Sequence, residues 1–467
     1  MIWYQLNDGS DPYEAFKRLN DKEVSLNNAE LIRGMFLSDS ASYKADPSLL
    51  SQFDKEIQPI VVKREQARKQ SHIIEQWDII ENQLRDERFW AFIKSDNDKE
   101  KYSCRIEYIF DLISQKSENE KDALYTYLEF DKLLKGESEG DLWDLWLKVE
   151  TYYSRLRAWF HNFDYIHKIG YLVTLDGTKV LIELLHQSEN MTKTKFNELL
   201  EEKIKDTISD RKDTNGERCI LDYSYDKDYS LLQKVMFLYN VESTRLLRHE
   251  PFPFEKYKEV KNWTLEHIHA QNSEQIDRSD KDKWDEWFRE NTKSLELLLQ
   301  RRLEDDALAN VVKQLQQEYA KFQGNKPKYS YRDITKVFDQ IVAYFNGLCR
   351  EEERAKPMHD ITNIALLDGK NNSAISNSVF EVKRQMILNS DANGDYIPIC
   401  TRNVFLKYYN RKDPTFAVQQ NFYWSETDRL NYKADISEVM KPYLYPARKG
   451  KTKEQSEVLT ETEMTDE

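Results

Sequence analysis

The chain predicts a mainly α fold, and three observations carry that expectation. Charged residues make up 33% of the 467 positions and glycine supplies only 12 of them, a balance suited to helices with long solvated faces. Apolar residues recur at intervals of three and four through the first half, the spacing that lines one side of a helix. Proline and glycine breaks are few and widely separated. At about 150 residues per domain the length suggests two to four domains. A hydrophobic content of 39%, with 27 Tyr, 21 Phe and 10 Trp, is enough for a sizeable core.

From Asp11 to about Arg245 the periodicity is helical. Ile73 to Ile93 carries one stripe; Leu142 to Phe160 carries another, with Trp143, Trp146, Val149, Tyr153, Leu156 and Trp159. Such stripes read as core, with binding tryptophans the lesser alternative. Pro47 and Gly136 to Gly140 mark breaks. His161, His167 and His186 lie in or beside apolar segments without a carboxylate or cysteine partner at metal spacing, which reads as packed histidines. Pro251 and Pro253 stop the helical run, giving a helical domain over 1–245 and a second domain over 246–412. Inside the second, residues 274 to 357 read again as helices, with Trp284, Trp287 and Phe288 on one face and a further helix around Val311 to Phe322. Asn363 to Leu367 predicts a strand, and Ser373 to Met386 a helix.

The remaining segment, 413–467, follows a basic stretch. Between Cys400 and Lys453 eleven Lys and Arg stand against five Asp and Glu, a net +6, whereas the tail beyond Lys453 has six acidic residues and no basic one. The tail reads as disordered. The whole chain carries a formal charge of -14, which argues against a general polyanion-binding surface. The basic stretch leaves a local one open, beside the alternative of ordinary solvated charge. Cys104, Cys219, Cys349 and Cys400 are isolated, which disfavours a disulfide framework or structural zinc and fits the reducing cytoplasm. No leader pattern follows Met1, and no run approaches the roughly 18 apolar residues that span a bilayer, so no membrane partner is expected.

Two segments carry chemistry. Glu266-His267-Ile268-His269-Ala270-Gln271 and the downstream run from His359 to Ser373 together resemble the two halves of an HNH nuclease site. In such a site a carboxylate and an amide hold one hard divalent cation, Mg2+ or Mn2+, on the scissile phosphate, while a neighbouring imidazole takes a proton from the attacking water. The resemblance assigns Glu266 and Asn372 to the metal and His267 to the base, with Asn363 and His359 completing the catalytic set. Asn363 stands nine positions before Asn372 and would fix the loop and the histidine orientation. His359 would approach the scissile phosphate. His269, two positions after His267, would share its face on a strand and contact phosphate, assist His267 or simply pack. Lys383, Arg384 and Arg402 are candidates for phosphate contacts, with helix-surface charge as the alternative. Asn372 also suits an N-cap, Asn363 a turn, and Asn371 competes with Asn372. Ala270 replaces a common Pro, Glu266 a commoner Asp, and Thr362 a frequent Gly; none of these changes deletes a catalytic group.

The layout extends the resemblance. Asn240-Val241-Glu242, Phe252 to Tyr257 and Trp263 lead into the first half, and Phe380, Lys383-Arg384 and Tyr396 to Phe405 follow the second. Over roughly 246 to 412 this resembles the C-terminal nuclease domain of the GmrSD family of modification-dependent (type IV) restriction enzymes. Its 96-residue interval between His267 and Asn363 is matched by that family's helical insert. Phe16 to Asn20, Val24 to Leu26, Ala29 to Arg33, Gln76 to Glu81 and Arg88 to Trp90 resemble the family's first domain, but the Asp-Gly-Gln-Gln-Arg signature of its ParB-like nucleotide-binding region does not occur. The resemblance therefore implies a ββα-metal DNA endonuclease with a helical insert, serving bacterial defence against foreign or modified DNA. A separate subunit would supply the missing nucleotide-binding region. The rival expectation is a noncatalytic or regulatory DNA-binding or partner subunit of a restriction system.

Overall fold

A computed structural model describes residues 26–38, 43–44, 46–95, 102–135, 141–210, 218–269, 278–348, 359–369, 378–408 and 422–445. The chain divides into two compact units. One comprises Met1–Lys94, Asp98–Ala158 and Gly177–Gln187, the other Ser95–Asn97, Trp159–Asp176 and Ser188–Glu467.

The helices of the first half are α1 (Asn28–Leu37), α2 (Pro47–Leu50), α3 (Gln58–Leu84), α4 (Glu87–Ile93), α5 (Ile106–Ile113), α6 (Tyr125–Lys135), α7 (Leu142–His161) and α8 (Phe163–Gln187). α1 begins at a reciprocal cap: the Asn27 side chain accepts from Glu30 N at 2.8 Å and the Glu30 carboxylate accepts from Asn27 N at 2.9 Å, satisfying two orphan donors of the first turn. The apolar stripe from Ile73 to Ile93 is split, because Asp86 caps a new helix by accepting from Arg88 N at 2.8 Å. Trp77 and Trp146 stack with centroids 6.2 Å apart inside the first unit, so this tryptophan stripe is core. Inside α8 the backbone leaves helical geometry at Gly177, with φ 68°, a conformation that costs glycine little.

The second unit continues with α9 (Lys193–Ile208), α10 (Tyr229–Leu247), α11 (Phe254–Glu259), β1 (Trp263–His267), α12 (Lys281–Arg301), α13 (Asp306–Gly324), α14 (Tyr331–Leu348), β2 (Ile364–Asp368), α15 (Phe380–Ala392), α16 (Ile399–Leu406) and α17 (Glu426–Val439). β1 and β2 pair antiparallel, with Glu266 opposite Ala365 and His267 opposite Ile364. α10 lies against both strands and against α16 and α17. Even its polar positions are buried and bonded: the Asn240 side chain accepts from Cys400 N at 2.8 Å, and Glu242 accepts from Arg245 at 2.7 Å. Residues 188–245, which the sequence assigns to the first domain, thus lie in the same unit as the hairpin. α12 to α14 fill the interval between the strands and share a core of Trp284, Phe288, Leu315, Phe322 and Phe338, which Val379 and Val382 join from the start of α15. The predicted helix from Ser373 is described from Phe380 and runs beyond Met386 to Ala392, with Val379 as its N-cap. Among the described residues no helix is long and apolar enough to cross a membrane. The acidic tail lies outside the described residues.

Two packing details in the second unit give measurable expectations. Gly170 faces Phe254, and a Cβ there would meet ring carbons at 2.4 and 2.5 Å. Gly170→Ala should therefore destabilise by on the order of 1 to 3 kcal/mol through overpacking, outweighing the roughly 1 kcal/mol that alanine gains in a helix. An unchanged or raised urea midpoint would contradict that close approach. His167 is fully buried; its Nδ1 donates to the Phe163 carbonyl at 2.6 Å and its Nε2 accepts from Phe252 N at 3.1 Å. Burial holds its pKa down, to about 4. The unfolded chain takes up this proton near pH 6.5 and the folded chain does not, so stability is full above that pH and is lost as pH falls toward 4, by about 1.4 kcal/mol per unit. Melting curves of wild type and His167→Gln between pH 4 and 7 should differ by this slope.

Candidate active site

The hairpin end that holds Glu266 and His267 is built by local bonding. After β1 the chain stays paired, Ile268 N donating to Asn363 O at 2.8 Å. The Asn363 side chain then clamps the next residue from both sides, accepting from His269 N at 3.1 Å and donating to His269 O at 3.1 Å. Asp360 caps the turn over Ile361–Asn363 by accepting from Thr362 N at 2.9 Å. Thr362 is pinned from α17 and the segment before it: its hydroxyl accepts from Arg429 Nε at 3.0 Å and its carbonyl from Trp424 Nε1 at 3.2 Å. Arg429 and Lys407, two cations of the basic stretch, are buried, so part of that charge supports the fold and not a surface.

Glu266 and His267 are consecutive on a strand and therefore address opposite faces. The Glu266 carboxylate is met by Lys383 of α15, a fully buried lysine whose ammonium bonds Glu266 Oε1 and, at 2.6 Å, the His267 carbonyl. Burial raises the Glu266 pKa, an effect the Lys383 charge opposes. On the other face, His267 Nε2 lies 3.3 Å from His359 Nδ1. Burial, with the nearby Lys383 and His359, lowers the His267 pKa to about 3, and burial lowers that of His269 to about 4. Both imidazoles are thus neutral at pH 7 and keep a lone pair. His269 is buried, and its Nδ1 has no hydrogen-bond partner among the described residues.

Hence Glu266, His267, His269, His359, Asn363 and Lys383 gather at one end of the hairpin. Lys383 spends its charge inside that cluster, away from the surface where a phosphate contact was expected. Arg384 pairs with Glu381 at 3.8 Å. Arg402 pairs with Asp391 at 3.6 Å and lines a cleft of about 1290 Å3 with Asn262, Asp368 and Tyr396. That cleft opens at the Trp263–Asp368 end of the hairpin, about 13 Å of strand away from His267. Asn372 lies outside the described residues.

Sequence reasoning missed Tyr225 and Tyr229. The Tyr225 ring lies 4.6 Å from that of His267 and its N–H donates to the His359 carbonyl at 2.8 Å; the Tyr229 hydroxyl accepts from Leu265 N at 3.2 Å. The available signal was the run Asp222-Tyr223-Ser224-Tyr225-Asp226-Lys227-Asp228-Tyr229, whose alternation of aromatic and polar residues interrupts helical spacing.

Residues 342–396 match the family model of the GmrSD restriction endonucleases, C-terminal domain. The match supports a GmrSD-like restriction endonuclease C-terminal region and points to a nuclease role in restriction. No curated protein and no solved structure matches the chain. The matched span includes His359, Asn363, Asn372, Lys383 and Arg384. Glu266 and His267 precede it and are joined to it by the pairing of β1 with β2.

Proposed function

We propose that this protein is a metal-dependent DNA endonuclease of the HNH type, hydrolysing phosphodiester bonds in cytoplasmic bacterial defence against foreign or modified DNA. One observation carries the reading: β1 brings a buried carboxylate and a neutral imidazole against the restriction-family segment that holds His359 and Asn363. The antiparallel hairpin followed by α15, with Lys383 reaching back to Glu266, supports a ββα-metal arrangement.

Glu266 fits a hard divalent cation. Lys383 holds its Oε1, which leaves the other carboxylate oxygen, Oε2, to face an ion. No group of three or more His, Cys, Asp and Glu side chains among the described residues is placed to cage a metal. The ion of choice is one that takes a single carboxylate and completes its shell with water and phosphate, as Mg2+ or Mn2+ does. Glu266 and Asn372 would hold it, and once bound it would stabilise charge on the phosphate and the leaving oxygen. His267 takes the proton of the attacking water. Asn363 fixes the turn that follows His267, and Lys383 fixes both Glu266 and the His267 backbone. A second polypeptide carrying a ParB-like region would provide any nucleotide gating.

The purified chain should nick or cut DNA, unmodified or base-modified, with Mg2+ or Mn2+, and excess EDTA should abolish the cutting. Undiminished cutting in chelator would remove Glu266 and Asn372 as metal ligands. Failure on every substrate would favour a noncatalytic subunit.

A further inference from the structure

His267 is only 4% exposed, and during the reaction its Nδ1 side is taken by the attacking water, which leaves Nε2 as the side from which a proton can depart. Its Nε2 points at Nδ1 of His359 across 3.3 Å, and the rings meet edge-on at 69°. His359 is half-buried as a residue, more open to solvent than His267. His359 is also held in place. Tyr225 bonds its carbonyl and stacks on its ring at 6.0 Å, and Ser224 pairs with Asp360 in an isolated bridge. Asp226, an exposed residue one position after Tyr225, lies near enough to His359 to act on it electrostatically.

We propose that His359 is the proton exit of this site, receiving at Nδ1 the proton that leaves His267 Nε2 and releasing one from its own Nε2 to water beside Asp226. This rests on the nuclease reading above. The water oxygen bonds to phosphorus as one of its protons passes to His267 Nδ1. The proton on His267 Nε2 moves to His359 Nδ1, and His359 gives one up to solvent. The phosphorus bond to the leaving oxygen breaks, and that oxygen is protonated from water. Both histidines end neutral with their tautomers exchanged; after product leaves, a proton from water onto His359 Nε2, the His359 Nδ1 proton back to His267 Nε2, and the His267 Nδ1 proton to water restore them, with no oxidant or further reactant. The second imidazole lets the buried base shed a proton from Nε2 while its Nδ1 side is occupied by the substrate.

The test compares wild type, His359→Ala and His359→Asn as full-length chains on DNA with Mg2+, with melting temperatures as the check on folding. His359→Ala should cut on the order of a hundredfold more slowly, at the lower end of what positioned proton transfer contributes, and added imidazole should restore it saturably. His359→Asn keeps an oxygen near the Nδ1 position but carries no proton onward, so it should be as slow as His359→Ala. A wild-type rate in either variant, or a slow His359→Ala that ignores imidazole, reduces His359 to a support for His267 and overturns the relay. Should His359→Ala melt lower than wild type, the rate of His359→Asn decides. A wild-type chain that cuts nothing sinks the nuclease reading and the relay with it, whereas a cutting wild type with a fast His359→Asn sinks the relay alone.

Discussion

Replacing His267 with alanine should slow DNA cleavage by about a hundredfold to ten-thousandfold while leaving DNA affinity and thermal melting nearly unchanged. A general base acts on the proton in flight, so its loss falls on the transition state and spares ground-state binding. The surroundings support this separation. The imidazole is neutral and buried, and among the described residues its ring nitrogens have one hydrogen-bond contact, to His359. The backbone of His267 is held independently, by the strand pairing with Ile364 and by Lys383 on its carbonyl. Truncating the ring therefore leaves the hairpin's bonding intact. Single-turnover rates, filter binding and melting curves on the same preparations separate the alternatives. A variant that melts far below wild type and also loses DNA binding would make His267 a structural residue.

The helical character was legible because stripes such as Leu142 to Phe160 bury one face and repeat every three to four residues. The break between α3 and α4 was not, since Asp86 caps a helix without disturbing the apolar spacing around it. α10 was read as a helix but not as the support of the site, because a helix buried on several sides, down to Asn240 and Glu242, shows no single stripe. The hairpin has the same difficulty in another form. Its five-residue strands pair across an interval of almost a hundred residues, and no local pattern encodes that closure. The resemblance to an HNH site, with the family's helical insert to account for the long interval, picked out Glu266, His267, His359 and Asn363, and the structure places these four at one end of the hairpin. It did not reveal Tyr225, which reaches the histidines from the far side of α10 in sequence. Nor did it separate Lys383 from Arg384: one residue along a helix turns the side chain by about 100°, which here divides a buried ammonium bound to Glu266 from an arginine paired with Glu381.

That buried ammonium gives the largest expected effect on stability. Lys383→Met should destabilise the protein by about 3 to 5 kcal/mol at pH 8, since removing one partner of a buried ion pair strands the other charge. The His267 carbonyl, which accepts from Lys383 at 2.6 Å, loses a partner as well. The penalty should depend on pH with a definite sign. Burial already raises the Glu266 pKa and Lys383 is the group opposing it, so the variant raises it further above its unfolded value. Below that raised pKa the folded carboxyl takes up a proton and the stranded charge disappears; above it the cost is full. The loss should thus shrink as pH falls from 8 toward 5. Pairing Lys383→Met with Glu266→Met removes both charges, and replacing both partners by apolar groups of similar size is often neutral, so the double variant should recover most of the lost stability. Denaturant midpoints of the four proteins at pH 8 and pH 5 complete the cycle. If Lys383→Met costs less than about 1 kcal/mol at pH 8, the lysine behaves as a screened surface charge, and the pairing that fixes Glu266 in the proposed site falls with it.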